Sequence, residues 1–185
     1  VMIGGTNYEK SQFNRALSTN RMIGSSFKPI VYMSAMQNLG YHPGTVLVDE
    51  PMLFELPHNK KWEPANYNDE YMGPVVLKKA LAKSLNIISA KLMFQVKPAG
   101  VIKTARKFGF TSPLRENFSL ALGATGASPL ELASAYSTIA NLGEHIDPFY
   151  VSKIEDYQGN ILFEHFIEGE KRFEPGDIYL LLDMM

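Results

Sequence analysis

Ser25 and Lys28 are the first residues in this sequence whose types and spacing could support covalent chemistry. A serine hydroxyl is a weak nucleophile that needs a nearby base. Residues three apart share one face of a helix, so the Lys28 amine can reach the Ser25 oxygen if a helix starts there. Burial among apolar neighbours such as Phe27 and Ile30 would lower the pKa of the lysine toward that of a working base. The pattern therefore indicates a candidate nucleophile and base.

The Ser-x-x-Lys spacing has a second interpretation, because a chain of this size contains roughly one such match by chance. An N-cap serine followed by a solvent-facing lysine gives the same spacing. Pro29 favours a helix start here, since proline is tolerated best in the first helical turn. Free N–H groups and the helix dipole would then favour negative charge on the Ser25 oxygen. The motif alone leaves both interpretations open.

Ser-x-Asn is a second candidate pattern, and it occurs at residues 18–20 and at residues 84–86. The first copy lies in a polar stretch and is typical of a turn. The second copy interrupts a helical pattern, where Ser84 and Asn86 would compete with the backbone for hydrogen bonds. A serine hydroxyl can relay a proton, and an asparagine amide can bond both a lysine and a substrate amide. A helix kink or cap explains the same residues.

The composition excludes several other kinds of function. The 185 residues carry 18 Lys+Arg and 19 Asp+Glu, so no basic surface for nucleic acid is expected. Cysteine is absent, which excludes disulfides and thiolate metal sites. No apolar run approaches the roughly 20 residues that a membrane span needs. We expect no metal or cofactor, and surface or packing roles for the scattered histidines His42, His58, His145 and His165.

Periodicity, glycine and proline predict the elements that must position these side chains. Residues 6–21 are predicted to be loop, and residues 40–73 to be irregular with one strand at residues 45–48. A capping box at Ser128 and Glu131 predicts a helix start. Helices are predicted from about Ser25 to Gly40, at residues 75–94 with a break at 84–86, at 98–108, at 128–141, and from Pro175 onward.

The order of several segments resembles the transpeptidase domain of class A penicillin-binding proteins. The matching segments lie at residues 11–16, 24–29, 62–67, 73–75, 80–86, 119–123 and 129–136. An ordered similarity across nearly the whole chain is far more specific than one motif. It favours the chemical interpretation of both Ser-x-x-Lys and the second Ser-x-Asn.

The resemblance implies a peptidoglycan D,D-transpeptidase or carboxypeptidase. Ser25 would attack the penultimate D-Ala carbonyl of a stem peptide and release the terminal D-Ala, and a neighbouring stem's amine would resolve the acyl-enzyme. Lys28 would accept the Ser25 proton, and Ser84 would pass a proton to the leaving amine. Asn86 would hold the substrate amide and Lys28. The implied partners are stem peptides ending in D-Ala-D-Ala and β-lactams, which would acylate Ser25.

The resemblance also implies an α+β (broadly α/β) fold, in which a helical region packs on an antiparallel sheet. The family's Lys-Thr-Gly strand is missing, because residues 103–105 and 124–126 do not qualify. We therefore expect residues 1–185 to be a partial domain, truncated before that strand and inactive alone. It should be mostly helical, with a strand at residues 1–5 and a hairpin at residues 149–166.

By analogy with the family, the expected location is the periplasmic, extracytoplasmic face of the membrane. The membrane anchor, a glycosyltransferase domain and the rest of the transpeptidase domain would lie outside this chain.

Two alternatives on the same fold remain. A serine β-lactamase would need a base for deacylation by water, usually a glutamate in a loop after the second motif. Residues 98–122 contain no clear loop of that kind, although Glu116 lies there. A non-catalytic sensor or scaffold would keep the fold without turnover, and the four intact motif residues argue against it.

Overall fold

The structure, a computed structural model, describes residues 5–18, 20–56 and 59–185. It combines helices with short antiparallel strands, as the predicted α+β class requires. Short 3₁₀ segments lie at Gly24–Phe27 and Phe118–Leu122. The α-helices are α1 Arg15–Ser18, α2 Lys28–Leu39, α3 Leu77–Ala82, α4 Asn86–Val96, α5 Pro98–Lys107, α6 Pro129–Ala140 and α7 Pro175–Met184.

The strands pair in two-stranded antiparallel ladders: β1 with β6, β2 with β5, β3 with β4, β7 with β10, and β8 with β9. Their bounds are β1 Arg21–Met22, β2 Val46–Asp49, β3 Phe54–Leu56, β4 Lys60–Trp62, β5 Gly73–Val76, β6 Gly126–Ala127, β7 Glu144–His145, β8 Lys153–Glu155, β9 Ile161–Glu164 and β10 Glu170–Lys171.

Helix α2 lies at the centre of the core. Its residues 28–36 are all buried, and it contacts α4, α5 and α7. A helix that is apolar on most of its surface must be covered on all sides, and these three helices cover it. The helix that follows Ser25 is therefore a rigid support rather than a surface element.

Several predicted elements are confirmed. Helices α3 and α4 are separated at residues 83–85, inside the predicted stretch 75–94. Helix α6 begins after Ser128, whose hydroxyl accepts a hydrogen bond from the Glu131 N–H at 3.2 Å. The hairpin predicted at residues 149–166 is β8–β9.

Other predictions are wrong or untested. Residues 6–21 are not all loop, because the Asn14 side chain accepts hydrogen bonds from the Ala16 and Leu17 N–H groups and starts the single turn of α1. The irregular stretch 40–73 contains β2, β3, β4 and the start of β5 rather than one strand. The strand predicted at residues 1–5 lies, except for Gly5, outside the described residues.

No helix in the described ranges is long and apolar enough to cross a membrane. Over the same ranges, no three metal-ligating side chains come together.

Candidate active site

Ser25 occupies a 3₁₀ turn, Gly24–Phe27, that runs directly into α2. Gly24 enters this turn with φ of 56°, a conformation that glycine adopts without strain. The Ser25 side chain is exposed, and its hydroxyl makes no hydrogen bond within the described part of the chain. The predicted nucleophile thus stands open to solvent at the head of a buried helix.

The backbone of residues 123–125 forms hydrogen bonds with the residues just before Ser25. The Ile23 N–H donates to the Thr125 carbonyl at 3.1 Å, and the Gly24 N–H donates to the Gly123 carbonyl at 3.2 Å. Gly123 has φ of 68°, and a Cβ built there would collide with the Gly24 carbonyl. Only glycine permits this close approach. The position of Ser25 therefore depends on a segment about a hundred residues away.

Tyr136 in α6 adds a third support to the same turn. Its hydroxyl donates to the Ser26 carbonyl at 2.9 Å, while the Ser26 hydroxyl donates to the Ile23 carbonyl at 2.5 Å. Burial raises the pKa of Tyr136, so its hydroxyl stays protonated and able to donate near neutral pH. These bonds hold the backbone on both sides of Ser25.

Lys28 is buried, with 1% of its surface exposed. Its Nζ donates to the Ser84 carbonyl at 2.5 Å, to the Ser84 Oγ at 2.9 Å and to the Asn86 Oδ1 at 2.7 Å. Desolvation lowers its pKa from 10.5 to about 8. The three acceptors match the three protons of an ammonium group. Three hydrogen bonds therefore hold the Lys28 amine in place, while the lowered pKa makes it lose a proton more readily.

Ser84 has an unusual backbone conformation that explains its double contact. Its φ is 54°, in the left-handed region that residues with a Cβ avoid. The Ser84 N–H closes the end of α3 on the Leu81 carbonyl at 2.8 Å. The chain then turns so that both the carbonyl and the hydroxyl of Ser84 reach Lys28. Strain of this kind is held by the surrounding structure and clusters at functional sites.

Asn86 is the first residue of α4, and its amide group is fixed on both sides. Its Nδ2 donates to the Ala65 carbonyl at 2.8 Å, which leaves Oδ1 facing Lys28. Its backbone N–H donates to the Asn66 Oδ1 at 2.8 Å. The side chain can therefore offer Lys28 only an acceptor.

The structure brings three of the four predicted site residues into direct contact, namely Lys28, Ser84 and Asn86. Ser25 lies one helical turn before Lys28 on the same support. The first Ser-x-Asn copy contributes its exposed Ser18 and Asn20 to the surface, and neither makes a hydrogen bond to the other predicted site residues.

Three residues that surround this site have no role predicted from the sequence. They are Asp49, Asn66 and Tyr136, which bond the site's backbone or one another across long chain separations. Asn66 and Tyr136 lie inside segments that match the family, and this match was the only sign in the sequence that they contribute to the site. Asp49 had no such signal, since it only follows the predicted strand at residues 45–48.

The histidines with described positions have the expected surface or packing roles. His145 is buried, and its Nδ1 lies 2.7 Å from the Thr138 hydroxyl. His165 stacks on Phe149, and His42 is exposed. His58 lies outside the described residues.

An exposed serine one helical turn before a buried lysine, which contacts a second serine and an asparagine, suits a serine acyltransferase. The family model of the penicillin binding protein transpeptidase domain matches residues 1–185, and the chain belongs to this family. The resemblance predicted from the seven sequence segments is thereby confirmed.

Individual relatives agree with this assignment. The chain is 36% identical over 165 residues to penicillin-binding protein 1A of Pseudomonas aeruginosa, covering 88% of this chain and 20% of that protein. It is 36% identical over 187 residues to penicillin-binding protein 2D of Bacillus subtilis, covering 100% of this chain and 27% of that protein. The chain thus spans a fifth to about a quarter of the length of these relatives.

Solved structures give the same fold. The crystal structure of penicillin-binding protein 1A from Haemophilus influenzae superposes with a TM-score of 0.89 at 29% identity, covering 97% of this chain and 31% of that one. Penicillin-binding protein A from Mycobacterium tuberculosis, solved as an imipenem acyl-enzyme complex, superposes with a TM-score of 0.81 at 23% identity, covering 97% and 46%. At that identity the second match concerns the fold alone.

Proposed function

We propose that this chain carries the acylation centre of a peptidoglycan D,D-transpeptidase, with Ser25 as nucleophile and Lys28 as base. The observation that carries the proposal is the contact of the Lys28 Nζ with both Ser84 and Asn86, in a chain that belongs to the transpeptidase family. A buried amine with a lowered pKa, one turn after an exposed serine, suits proton abstraction from that serine.

The acylation step follows from this arrangement. The Ser25 Oγ attacks the carbonyl carbon of the penultimate D-Ala, and its proton passes to neutral Lys28. The C–N bond to the terminal D-Ala then breaks, and the leaving amine takes a proton that Ser84 relays from Lys28. Ser84 can do this because its hydroxyl lies 2.9 Å from the Lys28 Nζ and can act as acceptor or donor.

The second half of the reaction repeats these transfers in reverse. An acceptor amine from a neighbouring stem peptide attacks the Ser25 ester and loses a proton to Lys28. The bond between the acyl carbon and the Ser25 oxygen breaks as the cross-link forms, and Lys28 returns a proton to that oxygen. Asn86 orients the donor peptide amide. The Ser25 N–H, at the start of the turn, supplies one donor to the oxyanion.

β-Lactams are the expected inhibitors, because opening of the lactam ring leaves an ester on Ser25 that water or amine removes slowly. Support comes from the fold, which is shared with the Mycobacterium tuberculosis protein that was solved as an acyl-enzyme with imipenem.

The proposal extends to the complete protein. We infer that residues 1–185 form part of one transpeptidase domain and do not label or cross-link when isolated. We also infer a glycosyltransferase activity elsewhere in the protein and a membrane-anchored position on the periplasmic face. Carboxypeptidase activity would arise when water replaces the acceptor amine.

The test uses the complete protein, a fluorescent penicillin and a stem peptide donor with an amine acceptor. We expect a persistent covalent label and a cross-linked product, and loss of both in Ser25→Ala. The matched control Ser18→Ala, an exposed serine of the first Ser-x-Asn copy, should behave like the unchanged protein. Labelling that survives Ser25→Ala would overturn the proposal.

Two further outcomes identify the alternatives. Fast hydrolysis of the label would indicate a β-lactamase. Glu116 is exposed and makes no hydrogen bond to the described site residues. A persistent label without cross-linked product would indicate a sensor.

A further inference from the structure

Asp49 and Asn66 form a buried polar pair directly behind Asn86. Asp49 ends β2 and is 0% exposed, and Asn66, in the loop after β4, is 6% exposed. Burying a carboxylate is costly unless hydrogen bonds compensate it. The pair therefore calls for an explanation beyond ordinary core packing.

The hydrogen bonds of this pair fix the orientation of one amide. The Asn66 Nδ2 lies 3.0 Å from each Asp49 carboxylate oxygen and 3.0 Å from the Glu70 carbonyl. The Met72 N–H also donates to Asp49, at 3.0 Å. An ionised carboxylate only accepts hydrogen bonds, so Asn66 must turn its nitrogen toward Asp49.

The opposite side of the Asn66 amide then faces the start of α4. Its Oδ1 accepts hydrogen bonds from the Asn86 N–H at 2.8 Å and the Ile87 N–H at 3.3 Å. The first N–H groups of a helix have no partners within the helix. The N-cap residue of α4, Leu85, makes no side-chain cap, so Asn66 supplies one from a separate loop.

The same loop also holds the Asn86 side chain, through the bond from its Nδ2 to the carbonyl of Ala65, the residue before Asn66. Both contacts must hold for the Asn86 Oδ1 to stay 2.7 Å from the Lys28 Nζ. A small displacement of this loop would carry Asn86 away from Lys28.

We propose that Asp49 and Asn66 are positioning residues for acylation, acting through Asn86 on Lys28. The inference rests on the proposed function. It predicts that disturbing the pair slows the acylation step itself rather than reducing the amount of competent protein.

The main variant is Asn66→Asp in the complete protein, measured by stopped-flow saturation with a fluorescent penicillin. It keeps an acceptor for the α4 N–H groups but sets two carboxylates against each other, which displaces the loop. We expect the acylation rate constant to fall by roughly 10- to 100-fold, with the final labelled fraction unchanged. Glu63→Gln, an exposed charge change three residues earlier in the same loop, should keep the unchanged protein's rate.

Two more variants keep the inference falsifiable if Asn66→Asp folds poorly. Asp49→Asn has the same shape but no longer dictates the Asn66 orientation, and a severalfold slower acylation is expected. The exchange Asp49→Asn with Asn66→Asp restores the donor–acceptor match between the two positions, while the Glu70 carbonyl loses its donor, so it should recover part of the lost rate.

The outcomes separate this inference from the proposed function. An unlabelled wild-type protein would contradict the proposed function. A labelled wild type, with Asn66→Asp or Asp49→Asn acylating at its rate, would overturn the positioning role alone. So would variants that lose labelled fraction while the remaining molecules react at the normal rate, because that is the signature of a purely structural role.

Discussion

The Lys28 Nζ donates to the Asn86 Oδ1 at 2.7 Å, although 58 positions separate the two residues along the chain. This bond joins the buried central helix to the first residue of α4. Together with the two bonds to Ser84, it takes up all three donors of a protonated Lys28. Release of one proton would leave a lone pair for the Ser25 hydroxyl, which lies one turn earlier.

Removing the Lys28 amine should greatly slow acylation while leaving the fold in place. Lys28→Met keeps an unbranched side chain of similar length but has no base, so we expect the penicillin acylation rate to fall by about 10²- to 10⁴-fold. Lys103→Met changes an exposed lysine on α5 and should have no effect. The measurement is the rate of labelling by a fluorescent penicillin, with circular dichroism to check that the variant is folded. A folded Lys28→Met variant that labels at the normal rate would contradict the role of Lys28 as base.

The acylation rate should depend on pH through Lys28. Because burial lowers the Lys28 pKa to about 8, the neutral base is the minor form at pH 7 and becomes the major form above about pH 8. The rate should therefore fall about tenfold per pH unit below that pKa and level off above it. The measurement is the second-order rate constant for a penicillin between pH 5.5 and 9.5. A rate that is flat across this range would argue against a lysine base.

Two substitutions of Ser84 separate the effect of its strained backbone on stability from the effect of its hydroxyl on the acylation rate. Ser84→Ala and Ser84→Gly both remove the hydroxyl that contacts Lys28, so both should acylate more slowly, by about 10²-fold. Their stabilities should differ, because glycine tolerates the φ of 54° and alanine does not. We expect Ser84→Gly to be more stable than Ser84→Ala by about 1 kcal/mol in urea denaturation. Equal stabilities would show that the strain is absent in solution.

Gly123 should be required for the position of Ser25. Gly123→Ala costs about 1 kcal/mol for its left-handed backbone and also forces a Cβ against the Gly24 carbonyl. Gly159→Ala is the matched control, because Gly159 has φ of 85° with no atom within 4 Å of the added Cβ. Both variants should lose stability in chemical denaturation, but only Gly123→Ala should lose penicillin acylation rate. Equal acylation rates in the two variants would show that Gly123 is not required for the position of Ser25.

The sequence predicts those parts of the site that local rules control. Pro29 marks the helix start because a missing N–H matters least in the first turn. The polar pair Ser84 and Asn86 marks the break between α3 and α4 because such side chains disfavour a helix interior. The order of the family segments then distinguishes these residues from chance matches.

Long-range partners are not predictable from the same rules. The strands β1 and β6 have two residues each, too short for an alternating pattern, and they are defined only by pairing across the chain. Asn66 caps α4 from another loop, so no signal at the helix itself reveals it. Asp49 comes directly after the predicted strand at residues 45–48, and nothing in the sequence indicates that its carboxylate is buried.

The most direct test is to map the covalent adduct by tandem mass spectrometry after treating the complete protein with penicillin at pH 8. We predict one penicilloyl group on the Ser25 Oγ, and no adduct in Ser25→Ala. An adduct on Ser26 or Ser84, or on any residue when Ser25 is intact and unmodified, would contradict it.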